Sequence, residues 1–208
     1  MTIKKAPNYW RDGKNFLSKK DKVLKKIINN SKGFLTTRGN PFFSLCRSIV
    51  GQQISVKAAD AVWMKFEKKL VVINPSNVFK LNKKTLKSCG LSRQKVDYLR
   101  VLSKAFLDGD VNLKYLNKLS DEEAIKYLIR LKGIGRWTAQ MFLIFNLRRK
   151  DVFPEKDIGL LKAICKQYKK KYPLSKTQID LFKKKWSPYS TIATWYMWRS
   201  IDPVPVEY

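Results

Sequence analysis

The nonapeptide Leu131-Lys132-Gly133-Ile134-Gly135-Arg136-Trp137-Thr138-Ala139 lies between two apolar-periodic segments, and its reading sets the fold class. Two glycines separated by one apolar residue allow a turn with unusual dihedral angles between two helices. Ile134 is suited to tuck beneath that turn and pin both helices. On the N-terminal side, Ser120-Asp121-Glu122-Glu123 fits the S-x-x-E capping box, with Ala124, Ile125, Leu128 and Leu131 as the buried stripe behind it. On the C-terminal side, 136–147 is apolar nearly all round (Trp137, Met141, Phe142, Leu143, Ile144, Phe145), the pattern of a central buried helix. Two readings of the turn stand side by side. The glycines permit a tight αα corner, or they leave backbone N–H groups at the start of the second helix aimed outward, where they bind a phosphate without reading sequence.

Working outward, helical periodicity covers almost the whole chain. Residues 21–30 carry Val23, Leu24, Ile27 and Ile28 on one face, and Pro41 opens a helix with Phe42, Leu45, Ile49 and Val50. That run breaks at Gly51-Gln52-Gln53, after which Ser55 caps a helix bearing Ala58, Ala59, Val62, Phe66 and Leu70. Short helices are expected at 75–79 and 84–88. Gly90 ends the latter, and Ser92 caps a helix with Val96, Leu99, Leu102 and Phe106 on one face. Further helices are expected at 157–168 and 188–200, the last stopped by Asp202-Pro203-Val204-Pro205. The only strand-like run is the weak one at 70–73. The expected fold class is all-α, with two helix–glycine turn–helix units, at Gly90 and at Gly133.

Forty-four Lys and Arg stand against 16 Asp and Glu, a net charge of +28, which favours a polyanionic partner such as nucleic acid, although many of these lysines simply solvate helix faces. No apolar run reaches membrane-spanning length, and MTIKKAPNYWRDGK at the start has no apolar h-region. The expectation is a non-secreted protein with no membrane partner, cytoplasmic with the nucleoid or nuclear. Histidine is absent, so acid–base chemistry near neutrality falls to carboxylate, Lys, Tyr or Cys. Cys46, Cys89 and Cys165 match neither zinc nor iron–sulfur spacing; no cofactor, Fe–S cluster or metal-ligand set is expected from them.

Asp157 lies 22 residues after Gly135 and directly before an apolar-periodic helix. Taken locally it is a helix N-cap, worth about 1 kcal/mol. Asp151 and Glu155 are its acidic neighbours.

The stretch LKGIGRWTAQMFLIFNLRRKDVFPEKDIGLLKA (131–163) resembles the core of the helix-hairpin-helix DNA glycosylase superfamily, and within it the 3-methyladenine DNA glycosylase II branch. Supporting similarity occurs at PFFSLCRSIVGQQIS (41–55), GLSRQKVDYLRVLS (90–103) and WSPYSTIATWYMWR (186–199), in the family's order. The hairpin alone is common among DNA-binding proteins; followed at this distance by VFPxxDxGLxKA it is specific. The resemblance implies that Asp157, not Asp151 or Glu155, is the catalytic carboxylate. It also implies that Gly133, Ile134, Gly135, Arg136 and Thr138 form the DNA-binding hairpin, with a candidate monovalent-cation site at the 131–136 backbone. Trp137, Met141 and Trp198 are implied for the base pocket, ordinary core packing being the alternative for Trp198. Gln52 and Gln53 are candidates for the gap left by a flipped nucleotide. Lyase-capable relatives carry a lysine two residues after the second glycine. That position here is Trp137, and Lys132 lies on the wrong side of the glycines.

The resemblance therefore implies two helical lobes with an active-site cleft between them: 36–145 ending in the hairpin, and 1–35 plus 146–208 carrying Asp157. It implies a monomeric, monofunctional glycosylase of base excision repair that acts on double-stranded DNA containing an alkylated purine. Activity on another lesion, such as hypoxanthine or an oxidised base, and a non-catalytic DNA-binding module are the alternatives.

Overall fold

The computed structural model describes residues 5–37, 39–70 and 72–202. Short polar side chains start most of its helices, because Ser, Asn and Asp accept the backbone N–H groups that a first turn leaves unbonded. Among the described residues there are thirteen helices and no extended strand. They are α1 (Trp10–Lys20), α2 (Lys22–Asn30), α3 (Pro41–Gly51), α4 (Val56–Lys68), α5 (Pro75–Lys80), α6 (Lys83–Ser88) and α7 (Arg93–Leu107), followed by α8 (Leu113–Lys118), α9 (Asp121–Ile129), α10 (Arg136–Phe145), α11 (Ile158–Gln167), α12 (Lys176–Trp186) and α13 (Ser190–Arg199). Asp21, Asn40, Ser55, Asn74, Asn82, Ser92, Asn112, Ser120, Asp157 and Ser175 each accept a first-turn N–H of the helix that follows. The capping box of Ser120 and Glu123 forms as the sequence requires, and Ser175 with Gln178 makes a second one.

The all-α expectation holds. Leu70, Val72 and Ile73 form no strand, and Val71 lies outside the described residues. Helices α1, α8 and α12 do not stand out in the periodicity. α1 carries Gly13 and few apolar residues, and α8 is too short to show a period. α12 is dominated by lysines on its exposed face.

The chain separates into two compact units, one holding the described residues up to Gly39 and from Leu143 onward, the other Asn40–Phe142. In the first unit α13 is the central helix: every residue from Ser190 to Met197 is buried. α1, α2, α11 and α12 pack against it or against one another. At Gly13 a Cβ would stand 2.2 Å from Ile192 Cδ1 and 2.7 Å from Tyr189 Cδ1, so the α1–α13 approach needs a residue without a side chain. Asp21 ties the same unit together. Its Oδ1 caps α2 through Val23 and Leu24 N–H, and its Oδ2 accepts from Tyr168 OH (2.6 Å), Trp186 Nε1 (3.3 Å) and Lys185 Nζ (2.7 Å).

In the second unit α7 packs on α3, α5 and α6, with Phe42, Leu45, Ile49, Phe66, Leu99 and Leu102 in its core. No helix among the described residues is long and apolar enough to cross a membrane.

Candidate active site

The hairpin between α9 and α10 takes the shape its glycines call for, but only one glycine uses its conformational freedom. Gly133 adopts φ +94°, the left-handed region, and Tyr98 lies directly over it: a Cβ would be 2.4 Å from Tyr98 Cγ. Gly135 is exposed, outside the left-handed region, with nothing within 4 Å of where a Cβ would stand. Ile134, 4% exposed, is the apolar pin beneath the turn. The first i→i−4 bond of α10 runs from Ala139 N–H to the Gly135 carbonyl, so the amides of 136–138 form the open first turn of that helix. Thr138 is buried, so only its backbone amide, and not its hydroxyl, is placed in that open turn. The Arg136 guanidinium makes a two-point contact with Glu122 on α9. It thus braces the hairpin internally as well as adding charge. The Leu131 and Gly133 carbonyls accept from Ile134 N–H and Gln52 Nε2, each keeping a second lone pair that fits a cation ligand.

The two glutamines divide sharply. Gln52 donates from Nε2 to the Gly133 carbonyl at 2.8 Å, which fastens its loop to the hairpin. One residue before Gly51, the Val50 carbonyl accepts from Lys95 Nζ at 2.7 Å. Gln53 follows at φ +57° and is exposed. The loop is therefore pinned on the α3 side, with Gln53 presented at its tip. A left-handed residue that is not glycine is uncommon and costs about 1 kcal/mol or more, a cost typical of ligand-contacting loops.

The carboxylate expected at the centre of the chemistry, Asp157, is 9% exposed and caps α11. Its Oδ1 accepts from Leu160 N–H at 2.6 Å and from Trp198 Nε1 at 2.9 Å. The cap reading and the catalytic reading are therefore compatible in one atom. Trp198 is half-buried at the end of α13, and Phe145 lies parallel to its indole, 8° apart with ring centroids at 6.0 Å. The remaining aromatic residues of that helix segment, Trp195 and Tyr196, are core, packed edge to face on each other. Trp137 is half-buried, whereas Met141, one turn further along α10, is only 2% exposed and offers support rather than surface.

The loop leading to Asp157 is fastened at its beginning. Asp151 Oδ1 accepts from Ser190 N–H and Oγ (3.0 and 2.6 Å), and Oδ2 accepts from Ser187 Oγ (2.7 Å). Thr191 Oγ1 receives Val152 N–H and donates to the Arg149 carbonyl. Asp151 thus holds the N-terminus of α13, and Glu155 lies 3.8 Å from Lys176. Both neighbouring acids therefore have partners of their own. The anchoring role of Asp151 has no local signature, since its partners lie 36 and 39 residues away.

With this geometry in view, the similarity to known proteins is consistent. The sequence model of the HhH-GPD superfamily of base excision DNA repair proteins matches residues 46–188. The chain belongs to that family. It is 31% identical over 188 residues to DNA-3-methyladenine glycosylase 1 of Schizosaccharomyces pombe, covering 86% of this chain and 81% of that one. Among solved structures, the S. pombe 3-methyladenine DNA glycosylase in complex with abasic DNA superposes with a TM-score of 0.78 at 27% identity, over 90% of this chain and 95% of that one. The DNA-3-methyladenine glycosidase of Bacillus halodurans gives a TM-score of 0.78 at 29% identity, over 96% and 92%.

The two hairpin glycines should respond differently to alanine. Gly133→Ala meets both the left-handed backbone and Tyr98, and is expected to cost about 2–3 kcal/mol of stability. Gly135→Ala has room and no backbone strain, so its melting temperature should hold; if the hairpin binds phosphate as the resemblance implies, its affinity for duplex DNA falls through the added methyl. Thermal melts and a DNA titration at fixed salt check both. Equal losses of stability in the two variants would contradict the assignment.

Proposed function

We propose that this chain is a monofunctional DNA glycosylase that hydrolyses the N-glycosidic bond of a flipped-out alkylated purine in double-stranded DNA, of the 3-methyladenine or 7-methylguanine type. The observation that carries the reading is the buried Asp157 carboxylate, held at the head of α11 by Leu160 N–H and the Trp198 indole. The names and DNA complexes of the similar proteins support the same class of substrate.

Breaking the bond leaves positive charge on the deoxyribose, and a fixed carboxylate stabilises it. The alkylated purine is already cationic, takes the bonding electrons and departs neutral, so no second carboxyl acid is required. Water then adds at the sugar carbon, and its proton passes to Asp157 and on to solvent, leaving an intact abasic site. Trp198 supplies an aromatic face suited to an electron-poor base, and the resemblance assigns Trp137 the same part. The hairpin of Gly133–Gly135 binds backbone phosphate through the first-turn amides of α10. A monovalent cation held by the 131–136 carbonyls would add charge there. Gln53, exposed at the tip of its pinned loop, is the residue we assign to the gap left by the flipped nucleotide. The protein acts as a monomer on this reading, without a cofactor.

The deciding experiment measures base release by the wild-type protein. Release of 3-methyladenine from methylated duplex, exceeding hypoxanthine release from a defined duplex, is the expected result. Hypoxanthine release alone would move the enzyme to another lesion class, and no release across a broad lesion panel would leave a DNA-binding module. Trp137 has no amine with which to form a Schiff base, so borohydride is expected to trap no protein–DNA adduct. An adduct through a lysine would overturn the hydrolytic mechanism.

A further inference from the structure

Gly159 is the second residue of α11, two after Asp157, and its backbone is not left-handed. Glycine is the weakest ordinary helix former, and here no dihedral angle demands it. Space does. A Cβ at this position would stand 3.2 Å from Asp157 Oδ1 and 3.7 Å from both Cδ1 and Nε1 of Trp198. Oδ1 is the atom that already accepts Leu160 N–H and the Trp198 indole N–H. The 3.2 Å approach is tighter than nine in ten real Cβ contacts, so the carboxylate would have to give by a few tenths of an ångström.

That displacement cannot be absorbed freely. Oδ1 is tied to the helix backbone on one side at 2.6 Å and to the indole on the other at 2.9 Å. The indole is stacked on Phe145 and belongs to α13, whose buried face runs from Ser190 to Met197. Moving Oδ1 away from a methyl at 159 lengthens or bends the bond from Leu160 N–H or from the indole, and either change turns the carboxylate.

We propose that Gly159 is a positioning residue. The absence of its side chain lets the Trp198 indole and the α11 backbone share one oxygen of Asp157, which sets the orientation of the carboxylate toward the sugar. The proposal rests on the reading of Asp157 as the catalytic carboxylate.

The test uses Gly159→Ala in the full-length protein. Its single-turnover base-release rate from methylated duplex is expected to fall about tenfold, since small misplacements of a catalytic group are costly. Its affinity for abasic duplex should stay within about twofold, because the substitution removes no DNA contact. Its melting temperature should be unchanged or higher, as alanine favours helix over glycine. A merely structural glycine would show the opposite pattern, a lower Tm with the rate retained in the folded fraction.

A second measurement is independent of turnover. In protein carrying 15N-labelled tryptophan, the Trp198 indole resonance is identified by its loss in Trp198→Phe. In Gly159→Ala that resonance should move while the other five indoles of this six-tryptophan chain stay in place. An unmoved Trp198 resonance, or a moved one with an unchanged excision rate, overturns the proposal. If the wild-type protein releases no base from any lesion, the glycosylase reading fails. The resonance then still decides whether Gly159 governs the Asp157–Trp198 contact.

Discussion

Asp157→Asn is expected to lower the rate of base release at least about a hundredfold while leaving abasic-DNA affinity within a few-fold of wild type, since a group acting at the transition state is worth about 10²–10³ in rate. The substitution isolates the charge. Asparagine is as good an N-cap as aspartate, and its amide oxygen can accept the same Leu160 and Trp198 N–H groups that Oδ1 accepts now. The helix start and the indole contact therefore survive, and the variant should melt close to wild type. On the proposed mechanism, what the substitution removes is the negative charge facing the developing cation and the base for the attacking water. Asp157→Ala loses the cap as well, adding about 1 kcal/mol of destabilisation to the same kinetic defect. Single-turnover release from methylated duplex, paired with an abasic-duplex titration, separates the two effects. Undiminished release by Asp157→Asn would remove this residue from the mechanism.

The largest effect on stability is expected at Asp21. Its side chain is 1% exposed and accepts from two backbone amides of α2, from Tyr168 and Trp186, and from the half-exposed Lys185 ammonium. Asp21→Ala removes a cap and takes the acceptor from a half-buried phenol and a buried indole N–H. We expect a loss of about 3–5 kcal/mol, the range found when a buried charged partner is deleted. For a chain of this size that is a fall in Tm on the order of 10 °C. The exposed pair of Asp12 with Arg11, 3.7 Å apart, provides the contrast: Asp12→Ala should change stability by less than about 0.5 kcal/mol.

The same site gives a pH signature. Burial by itself pushes the Asp21 carboxyl upward and is the largest single influence. The hydrogen bonds from Lys185, Tyr168 and Leu24 N–H, with the Lys185 charge, together outweigh it and hold the group below its ordinary value. A carboxyl depressed in the folded state stabilises the protein above its unfolded pKa of about 4 and loses that contribution as pH falls through the folded value. Wild-type stability should therefore drop more steeply than that of Asp21→Asn below about pH 4. Parallel acid limbs in the two proteins would count against the network.

How much of this was legible beforehand depended on the range of the interactions. Asp157 is readable as a cap because capping joins residues three apart, and the turn at Gly133–Gly135 because two glycines one residue apart mark a corner between helices. Gly135 matched the same motif but does not use the left-handed region, which only the backbone trace reveals. Thr138 and Met141 read as site residues and are buried. Their helix faces inward at those positions, and an apolar helix gives little sign of which side is which. Gln52 and Gln53 are alike in sequence and differ through the Gly133 carbonyl, 81 residues from Gln52, which accepts the Gln52 amide.

The sequence by itself determined the all-α class, the strongly periodic helices, the capping box at Ser120, the glycine hairpin and the cap at Asp157, because each follows from contacts within a few residues. Only the tertiary structure decided what Asp157 is bonded to. Its indole partner is 41 residues away, and the glycine that leaves room for both is conspicuous only beside that indole. The same is true of Asp21, whose partners Tyr168 and Trp186 lie 147 and 165 residues distant. Hydrogen bonds of that range carry no local pattern. They exist because α13 packs on the first two helices and α11 and α12 pack on α13.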